Sequence, residues 1–146
     1  MSDRKTVYDA VITAMEASTG ILYVTRVAET WTLWGTDKMP GLFLNDETEE
    51  HTPLSYPRAT ADDMEAVIGF TADGAVCELT GSTDVDASRA QLIEDVISTV
   101  MADATLAAAT ADIWVRGVET DTYTGENYGT CTVRFDVRYF YNHASP

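Results

Sequence analysis

Between Cys131 and Tyr141 apolar and polar residues alternate without interruption: Val133, Phe135, Val137 and Tyr139 on one side, Thr132, Arg134, Asp136 and Arg138 on the other. Successive side chains of a strand point to opposite faces, so this register buries one face of a sheet and leaves the other polar. A chain carrying such a strand must cover the apolar face, and amphipathic helices are the usual cover. The alternation stops only at residues 142–146, so the closing strand is expected inside the sheet rather than as a free tail.

Two helical stripes meet that need. Asp3 is placed to cap a helix whose Val7, Ala10, Val11, Ala14 and Met15 recur at i, i+3, i+4, i+7 and i+8, with Gly20 past its end. Ser88 with Gln91 three residues on reads as a capping box ahead of Leu92, Ile93, Val96, Ile97, Val100 and Met101, predicting a second helix over residues 89–104. Residues 81–86 read as the connector before it.

Strands are expected at 21–34, which is rich in β-branched and aromatic residues, and at Leu42-Phe43-Leu44, which follows Pro40-Gly41 and ends at Asn45. Residues 64–71 form another, which Asp73-Gly74 would turn into a partner through Val76 and Leu79. Residues 113–118 pair with the closing strand across the polar connection 120–129. The whole reads as an α/β (α+β) fold. It is a single domain over residues 1–146, with a mixed or mainly antiparallel sheet and two helices packed on one face.

Residues 45–63 are expected to be a long loop, because Asp46, Glu47, Glu49 and Glu50 cluster there and Pro53 and Pro57 block regular pairing. A loop of that length is either functional or disordered, and its replacement by a short linker should leave stability nearly unchanged. Nine basic against twenty-four acidic residues give a net charge of −15. That balance disfavours tight binding to nucleic acid or anionic membranes. Cys77 and Cys131 are far apart in apolar surroundings and read as small core residues of a protein kept in a reducing compartment, without a disulfide framework. No apolar run reaches the length of a membrane span, and residues 1–8 lack a signal-peptide core.

Catalytic chemistry finds no foothold. His51 and His143 lack Cys or His at ligand spacing and are expected to be solvated, so neither metal nor cofactor is expected. Asp84, Asp86, Ser88 and Asp95 imitate the spacing of a calcium loop, but Arg89 stands where that loop needs Gly. Arg134, Asp136 and Arg138 suit cross-strand ion pairing, and Phe140 continues their face into the aromatic run Tyr139-Phe140-Tyr141. That mixed-charge edge is expected to meet something, and a helix, a neighbouring subunit or another partner would each suffice. Trp31, Trp34 and Trp114 are core residues by default, with Trp34 beside Gly35 the one suited to an interface.

The order of elements resembles tail terminator (tail completion) proteins of long-tailed bacteriophages. The pieces that carry the likeness are an amphipathic first helix, the Pro-led strand Met39-Pro40-Gly41-Leu42-Phe43-Leu44, an acidic loop and a strand from Glu65 to Phe70. A helix from Leu92 to Met101, Thr105-Leu106, a β-hairpin and the aromatic strand Val133 to Tyr141 complete it. The likeness spans most of the chain and departs from the family where a glycine pair often follows the second helix, since Ala107-Ala108-Ala109 stands there.

The resemblance implies a structural virion protein and no enzyme. Its subunits form a hexameric ring that caps the tail tube, terminates tail polymerisation and offers the joining surface to the head. The implied partners are further copies of the chain, the tail tube protein and a head completion or connector protein. DNA passes through the lumen without specific binding, no membrane is involved, and assembly in the host cytoplasm ends in the tail and neck of the virion. An acidic lumen would keep DNA from sticking, with Asp46, Glu47, Glu49 and Glu50 as the candidates for it or for an axial rim. Arg134, Asp136, Arg138 and Phe140 are the candidate subunit contact. The rival readings are another neck or head-closure component, or a small enzyme or ligand-binding domain built from the Trp31–Trp34 region and the loop carboxylates.

Overall fold

A computed structural model of the chain describes residues 4–26, 34–35, 38–53, 63–78, 82–121 and 127–142. In chain order these form α1 (Arg4–Ala17), β1 (Tyr23–Thr25), β2 (Gly41–Pro53), β3 (Asp63–Cys77), α2 (Ser82–Ala102), α3 (Ala104–Ala109), β4 (Asp112–Asp121) and β5 (Tyr128–Asn142). The strands make one five-stranded sheet in the order β1-β2-β3-β5-β4. All neighbours are antiparallel except β1, which runs parallel to β2. The α+β fold class read from the sequence is the one observed. Among the described residues no helix is long and apolar enough to cross a membrane.

The core lies between the helices and one face of this sheet. Val133, Phe135, Val137 and Tyr139 of β5 are buried, as the alternation requires, and Ala66, Ile68, Phe70 and Ala72 of β3 bury beside them. Val7, Ala10, Val11, Ala14 and Met15 of α1 close over the sheet together with Leu92, Val96 and Val100 of α2. Phe70 and Phe135 face each other across the β3–β5 ladder with rings stacked at 5.3 Å, and Tyr8 of α1 tilts onto Phe70 at 5.4 Å. Met101, expected in the α2 stripe, is instead 57% exposed at its end.

Several expectations are corrected. Asp73-Gly74 is not a turn: both lie within β3, opposite Thr132 and Cys131. A Cβ at Gly74 would sit 2.7 Å from Leu92 Cδ2 and 3.1 Å from Cys131 Sγ, so the missing side chain is what lets α2 close on the sheet. Residues 45–53 are strand, not loop, because β2 stays paired with β3 as far as Pro53 opposite Met64. Replacing that stretch by a linker would delete more than half of β2. Helix α2 begins at Ser82, six residues before the expected cap, so 82–86 are helix rather than connector. Ser88 is no cap: its hydroxyl donates to Glu78 Oε1 at 2.6 Å, while Gln91 donates to Asp95 at 2.9 Å. Asp84 in the first turn of α2 complements the helix dipole instead.

Trp34 is buried on the far face of the sheet, in a small cluster with Met39 and Ala75 edged by Tyr23, Phe43, Cys77 and Tyr128. Trp114, expected in the core, is 37% exposed. Asp3, residues 27–33 with Trp31, residues 54–62, Leu79 and His143 lie outside the described residues.

Candidate functional site

The sheet face away from the helices carries the predicted charged ladder, and two bulges shape it. Register slips by one residue at Arg116 in β4 and at Glu47 in β2, and the extra residue of a bulge re-aims its side chain. Arg116 Nε donates to Asp136 Oδ1 at 2.9 Å, and its Nη2 lies 3.7 Å from Glu47 Oε2. The side chain therefore starts on β4 and reaches a carboxylate of β2, crossing β5 and β3. It passes over Gly69, where a Cβ would be 3.4 Å from both Arg116 Nη2 and Asp136 Oδ1 and 2.9 Å from Thr48 Oγ1. Glycine at that position is the trough through which the guanidinium crosses.

On either side of this crossing, Arg134 donates to Glu119 at 2.6 Å, and Arg138 lies 3.8 Å from Glu65 and 3.7 Å from Asp112. The Glu119 hydrogen bond holds the Arg134 guanidinium above its usual pKa. Phe140 sits beneath Arg138, whose guanidinium carbon is 5.7 Å from the ring centre. Such solvent-facing pairs contribute little to stability, because water and salt screen them. The expected strand edge is corrected here, since β5 is paired with β3 on one side and β4 on the other. Only the polar face of Arg134, Asp136, Arg138 and Phe140 is available, and among the described strands the sheet ends in β1 and β4, not β5.

The pleat divides the acidic quartet. Asp46 and Glu49 project on the helix side, where Arg4 of α1 donates from Nε to Glu49 Oε2 at 2.7 Å and from Nη2 to Asp46 Oδ2. Glu47 sits at the bulge on the opposite face, and Glu50, exposed, stands opposite Val67. The four acids are therefore not one patch. Glu49 also accepts from the Tyr139 hydroxyl at 3.4 Å and faces His51 Nε2 at 3.1 Å, while His51 Nδ1 is 2.7 Å from the Tyr141 hydroxyl. A neutral imidazole satisfies both neighbours when Nε2–H donates to Glu49 and Nδ1 accepts from Tyr141. His51 is exposed, as expected, yet anchored at both nitrogens.

The network closes on itself. Arg4, raised in pKa chiefly by its hydrogen bond with Glu49, staples the start of α1 to β2. Glu49→Lys would set a cation against Arg4 and is expected to cost about 1–2 kcal/mol of unfolding free energy, the exposure of Arg4 moderating the loss. Glu50→Lys on the other face should leave the denaturant midpoint within error, and equal costs for the two would contradict the division of the quartet.

Burial pushes the Tyr139 phenol well above the ordinary 10.0, with Glu49 adding to the shift, and pushes the Cys131 thiol from 9.0 to about 11. Both are acids kept neutral by the fold. The unfolded chain loses these protons first as pH rises, so their stabilising share is intact below about pH 9 and falls progressively above it. Tyr139→Phe should make the decline of stability above about pH 10 shallower, measured by denaturant unfolding across pH. An unchanged slope would show that Tyr139 titrates freely.

Among the described residues no group of three or more His, Cys, Asp or Glu is arranged to hold a metal ion. The free thiol of Cys77 is partly buried and that of Cys131 buried. A groove of about 210 Å³ between the end of α2, α3 and the start of β4 is walled by Val100, Met101, Ala107, Thr110 and Ile113. It is smaller than the roughly 300 Å³ at which small-molecule sites begin, and Asp112 is its one charged wall. Nor are Trp34 and the carboxylates of Asp46 and Glu49 brought together, because the sheet stands between them. Sequence reasoning missed Arg4, Glu65, Arg116, Glu119 and Tyr141 as members of these networks, because their partners lie on other strands or helices. No protein-family model matches this chain, and no curated protein matches it significantly.

Proposed function

We propose that this chain is a tail terminator of a long-tailed bacteriophage, a subunit of a hexameric ring that caps the tail tube, stops its growth and receives the head connector. The observation that carries the reading is the succession of elements from α1 through the Pro-led β2 to α2, the β4–β5 hairpin and its aromatic end. Those elements fold into a helix-backed sheet whose second face carries a lattice of ion pairs beside the Trp34 cluster. Charge supports it further. Arg4, Lys5, Arg26, Arg89, Arg116, Arg134 and Arg138 are each engaged by a carboxylate. Of a net charge of −15, the surplus is thus left to unneutralised acids, which suits a channel wall past which DNA must slide.

Electron microscopy of the purified protein should show six-fold rings with a central channel, and labelled virions should carry it between tail tube and head. Infection without the protein should give tails of uncontrolled length. Label elsewhere in the neck with tail length unchanged would favour a head-closure component, and absence from virions would end the reading.

A further inference from the structure

We propose that Tyr141 is an activated phenol, an acyl acceptor on the helix-side face of the sheet, with the imidazole of His51 as its base and Glu49 as the carboxylate that orients the imidazole. The inference does not rest on the ring reading, since it needs only the folded chain. Three strands assemble the site from residues up to 90 positions apart. Glu49 and His51 are two residues apart on β2 and so share a face, while Tyr141 lies on β5. Between them runs β3, with Ala66 opposite His51 and Met64 opposite Tyr141, and the short side chain of Ala66 leaves the imidazole and the phenol room to meet over that strand.

The contacts follow the order that nucleophilic sites share, hydroxyl to base and base to orienting acid. The Tyr141 hydroxyl is 2.7 Å from His51 Nδ1, and His51 Nε2 is 3.1 Å from Glu49 Oε1. Glu49 is itself fixed, because Arg4 Nε donates to its other oxygen at 2.7 Å. A carboxylate at Nε2 keeps the imidazole proton there and leaves the Nδ1 lone pair facing the phenol, the tautomer that can take the phenolic proton. The two rings meet edge to face at 85° with centres 5.5 Å apart, which fixes their mutual orientation. Stability alone would gain little from this order, since an exposed imidazole finds water for both nitrogens.

Tyr139 is the internal contrast. It lies on the same face and donates to the same Glu49 at 3.4 Å, but it is 2% exposed and burial holds its phenol neutral. Tyr141 is half-buried and the His51 side chain is 39% exposed, so a small donor reaches the pair from solvent. In the step assigned to the site, Tyr141 Oη attacks the carbonyl carbon of an activated ester while His51 Nδ1 takes the phenolic proton. A bond forms between Oη and the acyl carbon, the bond to the leaving group breaks, and the leaving group departs with its electron pair. The imidazolium keeps Nε2–H on Glu49 and gives the Nδ1 proton to water. The chain supplies nucleophile, base and orienting acid, whereas leaving-group ability has to come from the donor, which makes aryl esters and thioesters the fitting class.

The test exposes the full-length protein to p-nitrophenyl acetate, with acid quenching at intervals and peptide mass spectrometry to time acetylation at each tyrosine. Tyr141 should be acetylated at least about tenfold faster than the half-buried Tyr23 and Tyr128, and His51→Ala should slow it at least about tenfold, thresholds set below the roughly hundredfold that a positioned base contributes. Glu49→Gln should slow Tyr141 in the parent chain and have no further effect in the His51→Ala background, because the carboxylate acts through the imidazole. A carboxylate with a structural role only would slow both alike, which would overturn its part. Circular dichroism melts confirm that each variant is folded, and if His51→Ala is not, the comparison of Tyr141 with Tyr23 and Tyr128 in the unaltered chain decides alone. A smaller ratio in either comparison overturns the inference, as do acetyl groups found on His51 and never on Tyr141. Each of those results leaves the ring reading standing, and absence of the protein from virions leaves the activated phenol standing.

Discussion

Phe135→Ala is expected to lower the unfolding free energy by about 3–5 kcal/mol, among the largest effects available to a single substitution in this chain. Phe135 and Phe70 are both fully buried, lie directly opposite each other on the two longest strands, and stack at 5.3 Å with an interplanar angle of 13°. Truncation removes a large apolar surface and leaves a cavity that cannot easily close, because β3 and β5 are each hydrogen-bonded on both sides. For a chain of this size the loss corresponds to a fall of about 6–20 °C in Tm. A double-mutant cycle with Phe70→Leu should return a coupling of about 0.5–1.5 kcal/mol for the ring pair. A loss under 1 kcal/mol for Phe135→Ala in urea unfolding would mean that the stack is not the centre of the core.

The two phenylalanines were differently legible. Phe135 sits in an uninterrupted alternation, and for such a strand the sequence period alone assigns each side chain to a face. The α1 stripe was equally plain. What failed were positions decided by distant partners. Asp46 and Glu49 look like loop residues because nothing nearby neutralises them. Arg4, more than forty residues away, does so, and pairing with β3 carries β2 through them. Gly74 after Asp73 has the local signature of a hairpin turn, yet its glycine answers to α2 passing overhead, a contact that no local window contains. The bulges at Glu47 and Arg116 have no dedicated residue code, so the ion-pair lattice they aim was visible only as separate charges. Ser88 and Gln91 satisfied the spacing of a capping box because that spacing is also one turn of a helix interior.

Helix α3 was invisible for a related reason, and Leu106→Ala is the substitution that tests what holds it. Six residues are too few to form a helix by their own propensity. Ala104, Thr105, Ala107 and Ala108 are exposed, so no apolar stripe betrays the segment. Two devices remain. Asp103 caps the start by accepting from the Leu106 amide at 2.8 Å, and the Leu106 side chain, fully buried, fastens the helix to the core beside α1. Loss of the cap by Asp103→Ala should cost about 1 kcal/mol, whereas loss of the anchor by Leu106→Ala should cost about 2–5 kcal/mol. The anchor dominates on this account, since the cap orders only the first turn while the leucine fills space between layers. Amide hydrogen exchange should then quicken in α1 as well as α3 for Leu106→Ala, and in α3 alone for Asp103→Ala. Equal costs in urea unfolding, or exchange confined to α3 in both variants, would show that the helix is a capped turn on the surface and no part of what holds α1 to the sheet.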